Sequence, residues 1–289
     1  MRLRHYFLLV LMFFFVNILL AGCNTETISS DAVNGGDMKR DLNIIVSILP
    51  QADLVKMLGK DNVQITVMIP PGASPDSYEP TTNQLKNLSK ADMYVMVGHL
   101  PFETAWCDRL LSANPDLLSV DSSRGIDIFH GDPHIWLSPQ LAKKQLENIC
   151  QALIEIDEGN ESFYLTNLEG ARTELDVMDQ QIKDIFADLP KKTFLVYHPA
   201  WGYFAKDYGL IEMAIEKDGK EPAPGEMAKI IAQAKELEIK TVFTSSQHST
   251  RSAEAIADEL QAVVVTIDPL PSKYEDIIET AKLLSEALK

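Results

Sequence analysis

Cysteine is scarce in this chain of 289 residues: there are three, too few for a disulfide framework. Cations are outnumbered. Lys and Arg total 26 against 42 Asp and Glu, a net charge of −16 that argues against binding nucleic acid through its phosphates and suits a protein that meets cations. The 14 Gly and 15 Pro are ordinary numbers, which excludes collagen-like and low-complexity classes. No sequence-level repeat is visible. Cys-x-x-Cys and His-Glu-x-x-His spacings are both missing. Beyond residue 20 no apolar stretch is long enough to span a membrane. What remains is length enough for one or two domains, each able to bury a real core.

The one long apolar run is at the start. Arg2, Arg4 and His5 precede an apolar segment from Tyr6 to Leu20, broken only by Asn17 and followed by Ala21, Gly22 and Cys23. A basic beginning, an apolar middle and small residues before a cleavage point make an export signal over residues 1–22. Leu20-Ala21-Gly22-Cys23 resembles the lipobox of bacterial lipoproteins, which implies that Cys23 becomes the lipidated first residue of the mature protein. Residues 23–41, rich in Asn, Ser, Thr, Asp and Gly, read as a flexible tether. The expected location is outside the cytoplasm: lipid-anchored on the outer face of the cytoplasmic membrane, or in the periplasm.

Strands and helices alternate through the rest. Asn43–Leu49, Val63–Ile69, Met93–Val97 and Leu117–Asp121 read as strands, with helices expected from Leu54 and over Asn83–Ser89, Thr104–Ser112 and Pro139–Ile156. Leu165, Leu168, Leu175, Met178, Ile182 and Ile185, mostly three or four apart, predict one long amphipathic helix from Glu161 to Leu189, stopped by Pro190. The pattern then restarts, with strands expected at Thr193–Tyr197, Ile211–Ile215, Thr241–Thr244 and Ala262–Ile267 and helices at Gly225–Leu237, Ser252–Leu260 and Lys273–Leu288. The fold class is α/β: two lobes, each with a mainly parallel sheet flanked by helices, joined by one long helix. The lobes span residues 42–157 and 191–289, with the linking helix in 158–190.

Ligand sites in open α/β sheets sit beyond the carboxyl ends of strands. Four potential metal donors occupy such loops: Asp76 and His134 in the first half, His198 and Asp268 in the second. Two imidazoles and two carboxylates can coordinate a divalent first-row cation. On spacing alone a lone His after a strand is more often a packing residue, and Asp76 after Pro75, or Asp268 before Pro269, could be a turn residue. Glu79, three residues beyond Asp76, is an alternative donor. Asp132 could orient the His134 ring or make a turn.

Four segments in order carry a resemblance. They are Pro70-Pro71-Gly72-Ala73-Ser74-Pro75-Asp76-Ser77-Tyr78-Glu79-Pro80, Asp132-Pro133-His134-Ile135-Trp136-Leu137-Ser138-Pro139, the run from Tyr197 to Leu210, and Ile267-Asp268-Pro269-Leu270. Together they closely resemble the zinc/manganese (cluster A-I) solute-binding lipoproteins of metal ABC importers, over residues 43–289. The resemblance implies two α/β lobes held by one long helix, with the metal between them on Asp76, His134, His198 and Asp268. It implies capture of zinc or manganese as the transported ligand and delivery to an ABC permease and its ATPase, by a monomer with no enzymatic activity. A surface adhesin is the alternative within the same family; a metallohydrolase is a more distant one, since four protein donors would leave no place for an attacking water.

The chain departs from the family pattern at three places. Asp76 stands where His is usual. The His-rich acidic loop before the second ligand shrinks to Phe129-His130-Gly131. Phe243-Thr244-Ser245-Ser246-Gln247-His248 replaces a segment that usually reads Phe-Thr-Glu-Pro-Gln. His130 and His248 could approach the cleft, with exposure to solvent as the default, and His99 is expected to pack in the first lobe. Trp136, Trp201, Tyr78 and Tyr203 are expected to wall the site, and Cys107 and Cys150 to be buried thiols.

Overall fold

The computed structural model describes residues 41–289 apart from 113, 218 and 249. The export signal, Cys23 and the tether up to residue 40 lie outside the described residues. In the first lobe β1 (Leu42–Val46) pairs with β2 (Val63–Val67) and with β3 (Met93–Met96), and β3 pairs with β4 (Leu118–Asp121). In the second lobe β5 (Thr193–Val196) pairs with β6 (Ile211–Ala214) and β7 (Thr241–Thr244), and β7 with β8 (Val263–Thr266). All pairs are parallel, and the orders β2-β1-β3-β4 and β6-β5-β7-β8 are the same arrangement twice.

The helices follow the apolar periodicity. They are α1 (Leu49–Gly59), α2 (Thr82–Leu88), α3 (Pro101–Ser112), α4 (Pro139–Ile156), α5 (Glu161–Phe186), α6 (Gly202–Asp207), α7 (Pro224–Glu236), α8 (Thr250–Leu260) and α9 (Asp276–Ala287). The first strand is shorter than its apolar run suggests. Pro50 fits the first turn of a helix, so α1 takes over at Leu49. The linking helix α5 has 26 residues and stops at Phe186, three short of the expected Leu189. A residue before proline disfavours helical geometry, and Phe186 is already pinned by ring contacts with Phe204 and Tyr208, 5.9 and 5.8 Å between centroids. At about 1.5 Å per residue α5 spans roughly 39 Å, long enough to support both lobes.

One hydrophobic core crosses from lobe to lobe. Ile44, Val46 and Val95 of the first sheet, Leu168, Leu175 and Ile182 of α5, and Phe194, Val196 and Phe243 of the second sheet belong to it. The opposite face of the second sheet, with Leu195 and Val242, packs against α7 and α8 as a separate smaller cluster. Side chains alternate across a strand, so β5 feeds both clusters. Cys150 is a free buried thiol whose pKa burial pushes up to about 11; the Cys107 side chain lies outside the described ones. His99 does not pack as expected: it is exposed, with Nε2 2.9 Å from the Ser123 hydroxyl.

Candidate metal centre

The loop after β2 carries Asp76 on a single short turn, Pro75–Ser77. Ser74 caps that turn by accepting from the Asp76 amide at 3.3 Å. Tyr78 anchors its far side, donating to Met68 O at 2.9 Å and Gln84 Oε1 at 2.7 Å and meeting Phe102 edge-on. Glu79 is exposed and lines neither of the cavities described below.

His134 precedes another short turn, Ile135–Leu137, whose three side chains are fully buried and fix the ring's origin. Asp132 Oδ1 accepts from the His134 amide at 2.9 Å and lies 2.6 Å from its Nδ1. That contact makes Nδ1 the protonated nitrogen and leaves Nε2 as the available lone pair. Tyr203 holds this loop from the other lobe: its hydroxyl donates to Asp132 O at 3.1 Å and accepts from the Phe129 amide at 3.3 Å.

His198 lies two residues beyond β5. Its Nδ1 is 3.1 Å from Glu216 Oε2, on the loop after β6, and its Nε2 is 3.3 Å from Asp76 Oδ2, on the first lobe. The following turn is tied down by Glu212 of β6, whose Oε1 accepts from the amides of Ala200 and Trp201 at 3.0 and 2.8 Å. Burial pushes the Glu212 carboxyl up to about 7, aided by the charge on Asp132 and opposed by the two amides. For His198, burial disfavours the cation, but the Glu216 hydrogen bond and the Asp76 and Glu216 charges outweigh it and raise its pKa.

His134 and His198 have ring centroids 5.4 Å apart. Asp76, His134, His198 and Trp136 share the wall of a small cavity of about 10 Å³, room for roughly one water-sized occupant. Asp76, His134 and His198 also line a larger cleft of about 980 Å³. A zinc ion about 2.1 Å from each of two donors at a tetrahedral angle places those donors about 3.4 Å apart. The 3.3 Å between Asp76 Oδ2 and His198 Nε2 fits that separation.

Two further positions bear on the site. Asp268 is exposed and turned to its own lobe, where Oδ1 accepts from Gln247 Nε2 and the Leu270 amide, both at 2.9 Å. His248 is not out in solvent. Its ring stacks on His198 at 4.3 Å and 18°, Nδ1 is 2.8 Å from Ser245 Oγ, and it lines the small cavity. Among the described residues Asp76, His198 and His248 form a group whose ligand atoms all lie within 4.8 Å of one another. Burial, then the neighbouring His198 charge, lowers the His248 pKa. Glu216 was also not foreseen, although it ends an expected strand at Ile215 just as the other site residues end theirs. Of the expected walls, Trp136 lines the small cavity, Trp201 and Tyr203 are buried and Tyr78 is half-buried; His130 is exposed.

The family model described as Zinc-uptake complex component A periplasmic matches residues 44–287. The chain belongs to this family. A crystal structure of ZnuA is 38% identical with a TM-score of 0.84, covering 86% of this chain and 99% of that one. The high-affinity zinc uptake system protein ZnuA of Bacillus subtilis is 27% identical over 94% of this chain and 93% of its own length. The manganese ABC transporter substrate-binding lipoprotein scaA of Streptococcus gordonii is 26% identical, over 93% and 92%. The two parallel sheets flanked by helices and the long helix between the lobes are therefore the fold of the zinc-uptake component family.

Proposed function

We propose that this protein captures a divalent transition metal, zinc or manganese, outside the cytoplasm and delivers it to the permease and ATPase of an ABC importer. The observation that carries this is the meeting of Asp76 and His198 across the two lobes at the separation of two ligands on one ion. His134 completes the core of the site, its Nδ1 engaged by Asp132 and its Nε2 left for metal. Asp268 is the fourth donor and approaches through Oδ2, since Oδ1 is engaged. The ion is cargo, so the chemistry is binding and release. Nitrogen and carboxylate donors in equal number suit manganese, while zinc binds most such sites more tightly. No catalytic step is part of this role. Cys23 carries the lipid that holds the protein, as a monomer, at the outer face of the membrane. An adhesin role draws support from no feature of this site.

The test is metal analysis of protein purified without added metal, followed by titration with zinc and with manganese. One equivalent of either metal, bound by the parent and lost in His134→Ala and His198→Ala, is the expected result. A parent that takes up neither metal would remove the proposal.

A further inference from the structure

We propose that His248 is an additional ligand of the transported ion, giving the site a third imidazole that approaches from the second lobe. The inference rests on the metal-binding role proposed above and adds a donor to it. Three observations support it. First, His248 Nδ1 is engaged by the Ser245 hydroxyl at 2.8 Å, so Nε2, 3.9 Å from Glu216 Oε2, is the nitrogen that remains to ligate. Second, its ligand atom lies within 4.8 Å of those of Asp76 and His198, and it shares with them and His134 the wall of the small cavity. Third, the loop that presents it is fastened from behind: Gln247 Nε2 donates to Asp268 Oδ1 at 2.9 Å. The acceptor of the same side chain, Gln247 Oε1, is buried with no partner among the described residues, and Gln247 also lines that cavity.

The 4.8 Å bound on this group is wider than the roughly 3.4 Å edge of a tetrahedral site, so an arriving ion would draw the His248 loop inward.

The experiment is zinc-edge X-ray absorption on the full mature protein loaded with one equivalent of zinc, with titration by zinc alone, for the parent, His198→Ala and His248→Ala. The parent should show three imidazoles per zinc and His248→Ala two. Zinc affinity in His248→Ala should fall by about ten-fold or more, since loss of even an outer-shell partner costs 10–100-fold. Two imidazoles in the parent, or a parent-like count and affinity in His248→Ala, would overturn the inference. If that happens while His198→Ala still abolishes binding, the metal-binding role stands and only His248 is wrongly placed. If the parent binds no zinc, both fall. His248→Gln carries the same test should His248→Ala fail to fold.

Discussion

The two sheets have one strand order, yet the crevice where that order reverses is filled differently in each. Between β1 and β3 the first lobe closes its crevice with a buried carboxylate. Glu103 accepts from the amides of Val97, Gly98 and Leu100 at 2.8, 2.7 and 3.3 Å and from the Ser47 hydroxyl. Tyr94, Gln51 and Ser122 extend the network. Gly98 makes the closure possible: it has φ 101°, and a Cβ there would sit 2.2 Å from Asp121 Oδ1. Between β5 and β7 the second lobe leaves His198 and His248 at the cavity, with Glu216 behind them. A strand-end crevice becomes core when its polar groups satisfy one another and a site when one nitrogen of each ring is left over.

Substituting across this pair separates stability from binding. Glu103→Ala leaves three backbone amides and a hydroxyl buried without their acceptor, so it should cost about 3–5 kcal/mol. Chemical denaturation should show that loss, while any folded fraction still binds zinc. His198→Ala should do the reverse, lowering zinc affinity about 100-fold or more with a stability change under about 1.5 kcal/mol. Equal effects of both variants on both measurements would erase the distinction between the crevices.

The carboxylate behind the second crevice should set a pH dependence of opposite habit to most acids. Glu212 is pushed up to about 7 in the folded protein, by burial first and by the Asp132 charge, whereas its unfolded value is near 4.5. The folded state therefore holds this proton more tightly. Its contribution is fully present below about 4.5 and is lost as pH rises through about 7, an effect of up to about 3 kcal/mol. Glu212→Gln keeps an acceptor for the Ala200 and Trp201 amides and abolishes the titration. Metal-free Glu212→Gln should gain stability over the parent at pH 8 and show little difference at pH 4. A parent equally stable relative to the variant at both values would contradict the assignment.

Metal choice is a smaller effect and belongs to the first lobe. A carboxylate at Asp76 can bind through one or two oxygens and let coordination rise above four, which manganese accepts more readily than zinc. Asp76→His should shift the zinc-to-manganese affinity ratio toward zinc by about ten-fold, with little change in folding. Asp76→Ala should weaken both metals, and exposed Glu79→Ala should weaken neither. The reverse ranking would make Glu79 the loop ligand.

Much of this was legible in the chain. Compact β-branched runs such as Ile44-Ile45-Val46 and the three-to-four spacing in α5 follow from short-range physics, and the strand-end rule singled out Asp76, His134 and His198, which line one cavity. Pairing of those three across lobes was implied by the resemblance, not by their spacing. What stayed hidden depends on contacts distant in sequence. His248 has no local motif, and only the fold stacks it on His198. Asp268 reads as a donor through either oxygen until the Gln247 amide is seen to occupy one of them. Glu103 looks like an ordinary acid in the first turn of a helix until the loop from Val97 to Leu100 closes over it.

The same long-range contacts lead to the smallest expected change. Trp136 Nε1 of the first lobe donates to Pro269 O of the second at 2.6 Å, and Ser138 Oγ to Asp207 Oδ2 at 2.5 Å. The Tyr274 amide returns to Asp53 Oδ2 at 2.7 Å, and its hydroxyl reaches Ser138 O at 3.3 Å. These bonds lie within the core that α5 shares with both sheets, so opening the lobes would break buried hydrogen bonds and expose apolar surface together. A hinge of the multi-strand kind is not available to a single stiff helix packed this way. Metal binding should therefore move loops, not lobes. X-ray scattering of metal-free and zinc-loaded protein should superimpose, with radii of gyration within about 0.5 Å, while hydrogen exchange slows around Asp76, His198 and His248. A contraction beyond about 1 Å would mean that the shared core yields, and that the lobes close on the ion as separate bodies.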